Sequence, residues 1–394
     1  MAERTVLICG ASIAGPALAF WLKRHGLRPV IVERAPELRP GGQSVDVRGA
    51  GQEVVRRMNL EGEIRARTTT EEGIAFVDAQ GRAKARVSSE ALGGKGLTAE
   101  LEILRGELSR VLYDATRQDT EYLFGDQVTS LSDTGDRVRV GFLHGPERAF
   151  DLVIAADGIR SKTRGLVFGD EARIRPMGLY TAYFTIPREP SDDTWARWYN
   201  APGCRSMLLR PDNLGTIRAG LSFLSPPCGY ERLGQDEQKD VLRRVFADAG
   251  WQVPRALAGL AETKDFYFEA IGQVRMPRWS RGRVALVGDA AYCASPISGM
   301  GTSLALVGAY ILAGELSRHA GHAEAFAAYE RLMRPYVARA QNIPSIAPRL
   351  ASPKTRAGIT LGHTVLRLAT APGVRRVLGR LLTPPSDAIA LPDY

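Results

Sequence analysis

Three features of this 394-residue sequence predict an α/β fold. Residues 5–33 have the pattern of a buried strand, a glycine-containing turn, a helix and a second buried strand. Later segments repeat this strand-and-helix pattern, and between them lie two stretches in which apolar and polar residues alternate. We therefore predict a Rossmann-like nucleotide-binding domain assembled from separated segments, an inserted β-sheet domain and C-terminal helices.

The first β-α-β unit is the best-defined element of the sequence. Thr5–Cys9 is an apolar strand, Gly10–Gly15 a tight turn, and Pro16–His25 a helix with proline in its first turn. Gly26 ends this helix, and Pro29–Glu33 supplies the second strand. The unit is as long as one half of a dinucleotide-binding fold requires.

The rest of the chain divides into further nucleotide-binding segments, the inserted domain and a C-terminal region. The nucleotide-binding domain is predicted to comprise 1–72, 101–175 and 276–343, with a helix near 105–116, strands at 151–156 and 283–287, and a helix from Gly299. The inserted β-sheet domain is predicted to comprise 73–100 and 176–275, with alternating patterns at 73–87 and 179–273 and a helix near 237–249. Residues 344–394 should pack as helices across the others, since apolar residues recur there at helical spacing: Val365, Leu368, Val374, Val377, Leu378 and Leu381.

Composition and charge narrow the class of protein. The net charge of +9 is spread along the chain without a Lys/Arg block, which disfavours nucleic-acid binding and favours anionic small molecules. No apolar stretch reaches the roughly 18 to 20 residues of a membrane span, and the N-terminus lacks the pattern of a signal peptide. We expect a cytoplasmic protein, monomeric or homodimeric, without a metal site and with four reduced cysteines: Cys9, Cys204, Cys228 and Cys293.

The turn between the first strand and the first helix has the pattern of a pyrophosphate-binding loop. Its sequence matches G-x-G-x-x-G except that Ser12 replaces the second glycine. Gly10 permits the tight turn, and Gly15 permits close packing of the helix, whose N-terminus attracts a negatively charged group. We expect this loop to contact the pyrophosphate of a dinucleotide through Gly10, Ser12, Ile13, Ala14 and Gly15.

Glu33 stands at the end of the second strand, twenty-three residues after Gly10. A carboxylate at this place accepts hydrogen bonds from the ribose of a bound adenosine. The alternative is that Glu33 is a solvated residue paired with its neighbour Arg34. We interpret Glu33 as the ribose ligand, with Arg34 beside it in the same site.

Two later apolar strands end in short acidic motifs, Asp157-Gly158 and Gly288-Asp289. After the second motif come Pro296 and then Gly299-Met300-Gly301, which opens a long helix. A glycine-rich helix start can approach an electron-rich ring closely, and its dipole would stabilise an anionic reduced flavin. We therefore include all of these residues in the predicted cofactor site.

The order of these motifs resembles that of the class A FAD-dependent monooxygenases, the para-hydroxybenzoate hydroxylase-like family. Segments 41–52 and 102–108 are similar to the small tetracycline-modifying branch of that family. The resemblance extends to about residue 340 and implies FAD as the cofactor. It implies that Glu33 holds the ribose, that Arg48 and Arg105 lie along FAD, that Asp157-Gly158 serves both FAD and NAD(P)H, and that Asp289 holds the ribityl chain.

By the same resemblance, the protein is an oxidoreductase that uses NAD(P)H and O2. NAD(P)H reduces FAD, O2 adds to give a flavin C4a-hydroperoxide, and this species hydroxylates an electron-rich aromatic or polyketide-like molecule, in antibiotic biosynthesis or modification. No protein base is required for this chemistry. The chain departs from the family at Tyr292, where histidine is frequent, and at Ser295. Its five histidines all lie outside the motifs: His25, His144, His319, His322 and His363.

Substrate contacts should come from the inserted sheet and the Pro296 loop. Large side chains alternate along the strand-like runs, and we take four of them as candidates to line a flat apolar pocket: Tyr183, Met207, Phe223 and Phe268. The alternative is that these four belong to the core. Arg197 and Arg210 are interpreted as solvated surface residues, with pairing to an acidic group of the substrate as the alternative.

Other functions on the same fold stay as alternatives. One is a flavoenzyme that catalyses Baeyer–Villiger oxidation or a non-oxygenating cyclisation or isomerisation. Another is a non-catalytic flavin-binding redox protein. A flavin-dependent halogenase is disfavoured, because residues 195–200 do not fit its Trp-x-Trp-x-Ile-Pro signature.

Overall fold

The computed structural model describes residues 4–69, 71–88, 101–369 and 389–394. Its strands are β1 (Thr5–Cys9), β2 (Arg28–Glu33), β3 (Ser44–Val47), β4 (Gly73–Val77), β5 (Ala83–Ser88), β6 (Leu101–Leu104), β7 (Glu121–Phe124), β8 (Val128–Asp133), β9 (Val138–Phe142), β10 (Arg148–Phe150), β11 (Leu152–Ala155), β12 (Arg173–Pro187), β13 (Trp195–Ala201), β14 (Arg205–Pro211), β15 (Thr216–Leu224), β16 (Tyr267–Arg275), β17 (Ser280–Arg281) and β18 (Val284–Leu286). Its helices are α1 (Ala14–Arg24), α2 (Ala50–Arg57), α3 (Glu61–Arg65), α4 (Arg105–Asp114), α5 (Lys162–Phe168), α6 (Gln235–Val245), α7 (Val253–Glu262), α8 (Asp289–Tyr292), α9 (Gly301–Arg318), α10 (His322–Gln341), α11 (Ala347–Ala351) and α12 (Arg356–Ala369). The predicted α/β class is confirmed.

A six-stranded sheet with the order β17-β18-β11-β1-β2-β7 forms the first layer. Its strands run parallel except at the β17–β18 pair. The strand β1 has the predicted bounds, whereas α1 begins at Ala14, two residues before Pro16. Proline is tolerated in this first turn because the amides there have no partner within the helix. The sheet takes strands from each of the three segments predicted for the nucleotide-binding domain.

Both faces of the six-stranded sheet are covered. On one face, α1, α2, α4, α9 and α10 pack around a core that includes Val6 and Ile8. On the other face, the antiparallel strands β8, β9 and β10 cover Leu7 and Val153. The sequence analysis did not predict this three-stranded sheet. It buries the second side of β1 and β11, which explains why both strands are apolar throughout.

A seven-stranded sheet with the order β16-β12-β15-β14-β13-β4-β5 forms the second layer. All its neighbouring strands are antiparallel except β13 and β4, which run parallel. The strands come from 73–88 and 173–275, so the chain enters this sheet twice. These ranges lie largely within the segments predicted for the inserted domain, whose exact limits stay a prediction.

One face of the seven-stranded sheet, which we call the back face, packs against α6 and α7. Its side chains are buried and apolar or aromatic, and they alternate along each strand with side chains of the other face, which we call the open face. The back face includes Tyr180, Phe184, Tyr199, Met207, Leu209, Leu221, Phe223 and Phe268. The open face looks towards the nucleotide-binding domain.

The C-terminal region differs in part from the prediction. The helix α12 lies against β5 and contributes Leu366 to a small cluster there, so the opposite side of the helix is left in solvent. Val365 and Leu368 are 55% and 58% exposed, which corrects the prediction that they pack. The other four predicted apolar residues, at 374–381, lie outside the described residues.

The last six residues dock on the nucleotide-binding domain. The Tyr310 hydroxyl of α9 donates to the backbone oxygen of Pro392 at 2.6 Å, and Arg57 of α2 donates to the same oxygen at 2.9 Å. The Tyr394 hydroxyl donates to Glu315 of α9 at 2.6 Å. The sequence analysis missed this contact, since a short tail without regular structure carries no periodic pattern.

Three observations concern the class of protein. No helix among the described residues is long and apolar enough to cross a bilayer. Within the same part of the chain, no cluster of three or more His, Cys, Asp and Glu side chains has the arrangement of a metal site. All four cysteines are free thiols, and Cys9 and Cys293 are buried.

Candidate functional site

The glycine turn after β1 is packed so tightly that it excludes side chains at two positions. Gly10 has φ +115°, and a Cβ atom there would lie 2.6 Å from the carbonyl oxygen of Ala156. A Cβ atom on Gly15 would lie 1.9 Å from the carbonyl oxygen of Gly10. The turn therefore closes over the end of β11, and among the described residues no side chain caps the N-terminus of α1. Its first amides are thus available to a negatively charged group.

Glu33 lies directly beside this turn. Its carboxylate accepts hydrogen bonds from the backbone amides of Ala11 at 2.9 Å and Ala35 at 3.0 Å. The nearby cation is Arg39, whose guanidinium is 3.5 Å from the carboxylate, so the predicted alternative pairing with Arg34 is replaced by a pairing with Arg39. These bonds fix the carboxylate at the edge where a dinucleotide-binding fold places the ribose.

The starts of three helices meet beside the glycine turn. Gly288, with φ +64°, precedes α8, and a Cβ atom there would lie 3.0 Å from the Cβ atom of Ala14 in α1. The first turn of α9 has no side-chain cap either. In the described part of the chain, no heavy atom would lie within 4 Å of a Cβ atom placed on Gly158 or Gly301, so both glycines border open space there. We call the space between these helix starts and the open face the cleft.

Arg105 and Asp289 approach one another at the base of the cleft. The Arg105 guanidinium donates to the Ser12 hydroxyl at 3.0 Å, which brings a cation to the glycine turn. Solvent reaches Asp289, yet protein atoms surround its carboxyl, and this desolvation raises its pKa while the charge of Arg105 opposes the rise. The cleft therefore holds a cation at the turn and a carboxyl at the start of α8.

The loop after β11 is held by its own side chains. Asp157 accepts hydrogen bonds from the Ser161 hydroxyl and from the Thr163 amide, the latter at 3.1 Å. Arg164 is buried and donates to the carbonyl oxygens of Ala290 at 2.9 Å and Ile159 at 2.8 Å. Arg164 thus ties this loop to α8, a role that the sequence analysis did not assign.

Arg48 is also buried, in a loop that is latched to α9. Its guanidinium pairs with Asp46 at 2.8 Å. The Ser303 hydroxyl of α9 accepts from the Arg48 amide at 3.0 Å and donates to the Arg48 carbonyl oxygen at 3.0 Å. A Cβ atom on Gly299 would lie 3.8 Å from the Asp46 carboxylate, so this ion pair sits next to the glycine-rich start of α9.

The open face places polar side chains towards the cleft. Tyr183 of β12 stands directly across from Tyr267 of β16, and the Tyr267 hydroxyl donates to the Glu269 carboxylate at 3.2 Å. The charges of Asp289, Arg105 and Arg160 act on Glu269, which places this carboxyl next to the cofactor motifs. Burial among these groups raises the pKa of Glu269 to about 7.

The strand alternation separates the four predicted pocket residues. Tyr183 lies on the open face, but Met207, Phe223 and Phe268 lie on the back face, where they are at most 5% exposed. The prediction that these three line the pocket is therefore corrected, because they face α6 and α7 instead. Pro296 is exposed and begins the 3-10 turn that leads to α9, which keeps it at the rim of the cleft.

Arg210 is not the solvated residue that the sequence analysis expected. Its guanidinium pairs with Glu71 at 2.9 Å and with Glu102 at 2.7 Å, and its side chain is 17% exposed. Glu102 is buried, and this burial raises its pKa to about 8 although Arg210 opposes the rise. Arg197 is half-buried and pairs with Asp193 at 2.7 Å. Neither arginine is left for an acidic substrate group without breaking an ion pair.

Tyr292, the departure from the expected histidine, is a core residue. It is 1% exposed, and the Tyr329 hydroxyl donates to its hydroxyl at 3.0 Å. A Cβ atom on Gly308 would lie 1.9 Å from this hydroxyl. Tyr292 and Gly308 therefore fit one another inside the domain, where Tyr292 is a packing residue.

The structure thus brings together most of the predicted cofactor residues. It also adds two residues of the open face to the same cleft. The glycine turn, Glu33, Arg105, Gly158, Asp289 and the start of α9 surround one cleft. The sequence analysis missed Tyr267 and Glu269. The signal for them was the alternation along β16, since both stand out of phase with the apolar residues Phe266 and Phe268.

Comparisons with known proteins agree with this geometry. A family described as an FAD binding domain matches residues 3–343. A flavin-dependent monooxygenase from Legionella longbeachae is 39% identical over 335 residues, which cover 84% of this chain and 85% of the relative. The FAD-dependent monooxygenase asL4 from Sarocladium schorii is 35% identical, with 93% of each chain covered. The crystal structure of the tetracycline destructase Tet(51) superposes with a TM-score of 0.84 at 33% identity, with 100% of both chains covered.

Proposed function

This chain belongs to the FAD-dependent monooxygenase family, and from that premise we propose that it hydroxylates a polyoxygenated aromatic molecule. The electrons come from NAD(P)H and the oxygen atom from O2. The observation that carries this proposal is the cleft, where a glycine turn and two uncapped helix starts stand opposite a sheet face rich in hydroxyl groups. A charged, flat cofactor fits the first wall of the cleft, which is formed by the glycine turn and the helix starts. A substrate with several oxygen atoms fits the second wall, which is the open face of the sheet.

The residues of the first wall would hold FAD. The amides of the glycine turn and the Arg105 guanidinium suit the pyrophosphate, Glu33 suits the adenosine ribose and Asp289 suits the ribityl chain. Gly158 and Gly301 leave room for the cofactor, since no side chain fills the space in front of them. When bound, FAD supplies the redox chemistry that activates oxygen. The uncapped start of α9 offers positive potential to a ring that gains negative charge on reduction.

The residues of the open face would orient the substrate. Tyr183 and Tyr267 offer hydroxyl groups from neighbouring strands, and Glu269 offers a carboxyl whose pKa is raised to about 7. Such groups bind the oxygen atoms of a polyketide or phenol, whereas the strands behind them exclude water. Tet(51), named as a tetracycline destructase, supports a tetracycline-like polyketide as the first substrate class to test.

Turnover in air tests the proposal directly. The purified protein with FAD is mixed with NADH or NADPH and with tetracyclines, other polyketides or simple phenols, while NAD(P)H oxidation is recorded. We expect particular aromatics to accelerate the oxidation, and the product to carry one atom from isotopically labelled O2. The same mixtures without oxygen serve as controls, because hydroxylation stops in them while flavin reduction continues.

Three other results would replace the proposal. Insertion of the labelled atom into a ring, giving a lactone, would indicate Baeyer–Villiger oxidation. Conversion of substrate without labelled oxygen would indicate cyclisation or isomerisation. NAD(P)H oxidation that no aromatic accelerates would indicate a flavin-binding redox protein without a substrate.

A further inference from the structure

Besides the substrate-orienting role proposed above, Glu269 is an ionisable group whose protonation can respond to what binds in the cleft. It lies in β16 on the open face, across from Thr181 of β12, and its carboxylate accepts the hydroxyl of Tyr267 at 3.2 Å. It is partly accessible to solvent through the cleft. A carboxyl in this place meets any molecule that enters between the two walls.

The groups that face Glu269 come from every element around it. Two are cations, one is a carboxyl, and three are neutral at neutral pH: Arg105 of α4, Arg160 of the loop after β11, Asp289 of α8, Cys293 at the end of α8, Tyr183 of β12 and Tyr267 of β16. Burial raises the pKas of the Cys293 thiol and of both tyrosines, so these three keep their protons. In the absence of cofactor, the hydrogen bond from the Tyr267 hydroxyl and the charges of the two arginines stabilise an ionised Glu269.

FAD would change this balance in two ways. Its pyrophosphate carries two negative charges, and the glycine turn that suits it also holds Arg105 through Ser12. Phosphate oxygens near Arg105 would neutralise a cation on which ionised Glu269 depends. The cofactor would also displace water from the cleft, and loss of water disfavours the charged form of a carboxyl.

We propose that Glu269 takes up one proton from solvent when FAD binds, and that this carboxyl thereby makes the affinity for FAD depend on pH. The proton bonds to a carboxylate oxygen of Glu269, and no other bond changes. The inference needs only the binding of FAD and is independent of hydroxylation.

The sign of the effect follows from linkage. Below about pH 7 the carboxyl of the free protein already holds its proton, since its pKa is about 7, and the dissociation constant for FAD should be constant. Above that pH the proton must be taken from solvent, so the dissociation constant should rise by up to about tenfold for each pH unit. The rise ends at the pKa of Glu269 in the complex.

Quenching of FAD fluorescence measures this dependence on the full-length chain freed of flavin. The dissociation constant is determined between about pH 6 and pH 8.5 for the wild type and for Glu269→Gln, whose amide cannot ionise. We expect the wild-type constant to rise above about pH 7 and the variant constant to stay level. Glu102→Gln is the matched control, because it removes another buried carboxyl with a raised pKa and should keep the wild-type slope.

Calorimetry gives a second readout, which tests for proton uptake on the wild type itself. Titration of FAD near pH 8, in two buffers with different heats of ionisation, counts the protons taken up on binding, and we expect a value approaching one for the wild type. Absence of proton uptake by the wild type would overturn the proposal. Undiminished uptake by a folded Glu269→Gln protein would also overturn it and would assign the proton to another group, with Asp289 the first to test.

Discussion

The two faces of the seven-stranded sheet are built by the same strands but differ in chemistry. The back face is apolar and aromatic, with Tyr180 stacked between Phe223 and Phe268 at ring distances of 5.5 and 5.8 Å. The open face carries tyrosines, a carboxyl with a raised pKa and the buried cation Arg210. The difference teaches that, in a single strand, every second residue can pack in the core and stabilise the fold while the residues between them face the cleft and contribute to binding.

The largest effect is expected on the back face. Replacing Phe223 by alanine removes a side chain that is 3% exposed and contacts four other rings, so we expect a loss of about 3–5 kcal/mol of unfolding free energy. Chemical denaturation measures the loss. Replacing Tyr183 by alanine is the matched truncation on the open face, and we expect it to cost less because the cleft can admit water there. Equal losses in the two variants would remove the distinction between the faces.

The second-largest effect is expected on FAD binding, at Asp289 in the wall of the cleft opposite the open face. Replacing Asp289 by alanine should weaken FAD binding by about tenfold to a hundredfold, because a bond to the ribityl chain is lost. The unfolding free energy of the flavin-free protein should not fall, since neighbouring protein atoms disfavour the charged form of the Asp289 carboxyl and no ion pair of Asp289 is formed among the described residues. Flavin content after purification and fluorescence titration measure the affinity. The exposed Asp170, replaced by alanine, controls for net charge; full FAD retention by the Asp289 variant would refute its assigned role.

A smaller effect is expected on the pH dependence of stability, to which the buried carboxyl of Glu102 contributes. The pKa of Glu102 is raised to about 8 in the folded protein, so its contribution to stability is present below its unfolded pKa of about 4.5 and is lost as the pH rises to about 8. We expect Glu102→Gln to gain about 1–2 kcal/mol relative to the wild type between about pH 5 and pH 8. Denaturation at both pH values tests this, with the exposed Glu147→Gln as the control. Parallel pH profiles for wild type and Glu102→Gln would contradict the raised pKa.

The smallest effect should separate two tyrosines of the same sheet. Tyr183→Phe on the open face should raise the Michaelis constant for a phenolic or polyketide substrate by about fivefold, the value of one hydrogen bond. Tyr199→Phe on the back face should leave that constant unchanged, since Tyr199 packs against Trp251 in the core. Steady-state kinetics at several substrate concentrations compare the two. The same Michaelis constant for both variants would exclude Tyr183 from substrate binding.

The sequence predicted the cofactor wall better than the substrate wall for a physical reason. Gly10, Gly15 and Asp289 belong to local motifs, in which backbone conformation and position next to a strand end determine the function. The alternation along β14, β15 and β16 showed which residues share a face, but the side that faces the cleft depends on where α6 and α7 pack. Met207, Phe223 and Phe268 were assigned to the wrong side for that reason.

Long-range ion pairs were equally hidden from the sequence. Arg210 precedes Pro211 at the end of β14, and a charged residue next to a proline is typical of a solvated strand end, yet its partners Glu71 and Glu102 come from segments 139 and 108 residues away. The three-stranded sheet β8–β10 was missed because apolar and polar residues do not alternate clearly along its strands. In β8, for example, most side chains are exposed. Contacts of this kind appear only once the topology is known.

The double entry of the chain into the seven-stranded sheet has a consequence for recombination between relatives. Strands β4 and β5 are added to the sheet through the parallel pairing of β4 with β13, although the paired residues, such as Gly73 and Trp195, are 122 positions apart in sequence. In a chimera that exchanges only 173–275, strands β4 and β5 would come from one parent, and β4 would have to pair with β13 of the other parent. Functional chimeras should therefore inherit 73–88 and 173–275 from the same parent, and a single crossover between these two segments would break the pairing, whereas one before 73 or after 275 would keep it.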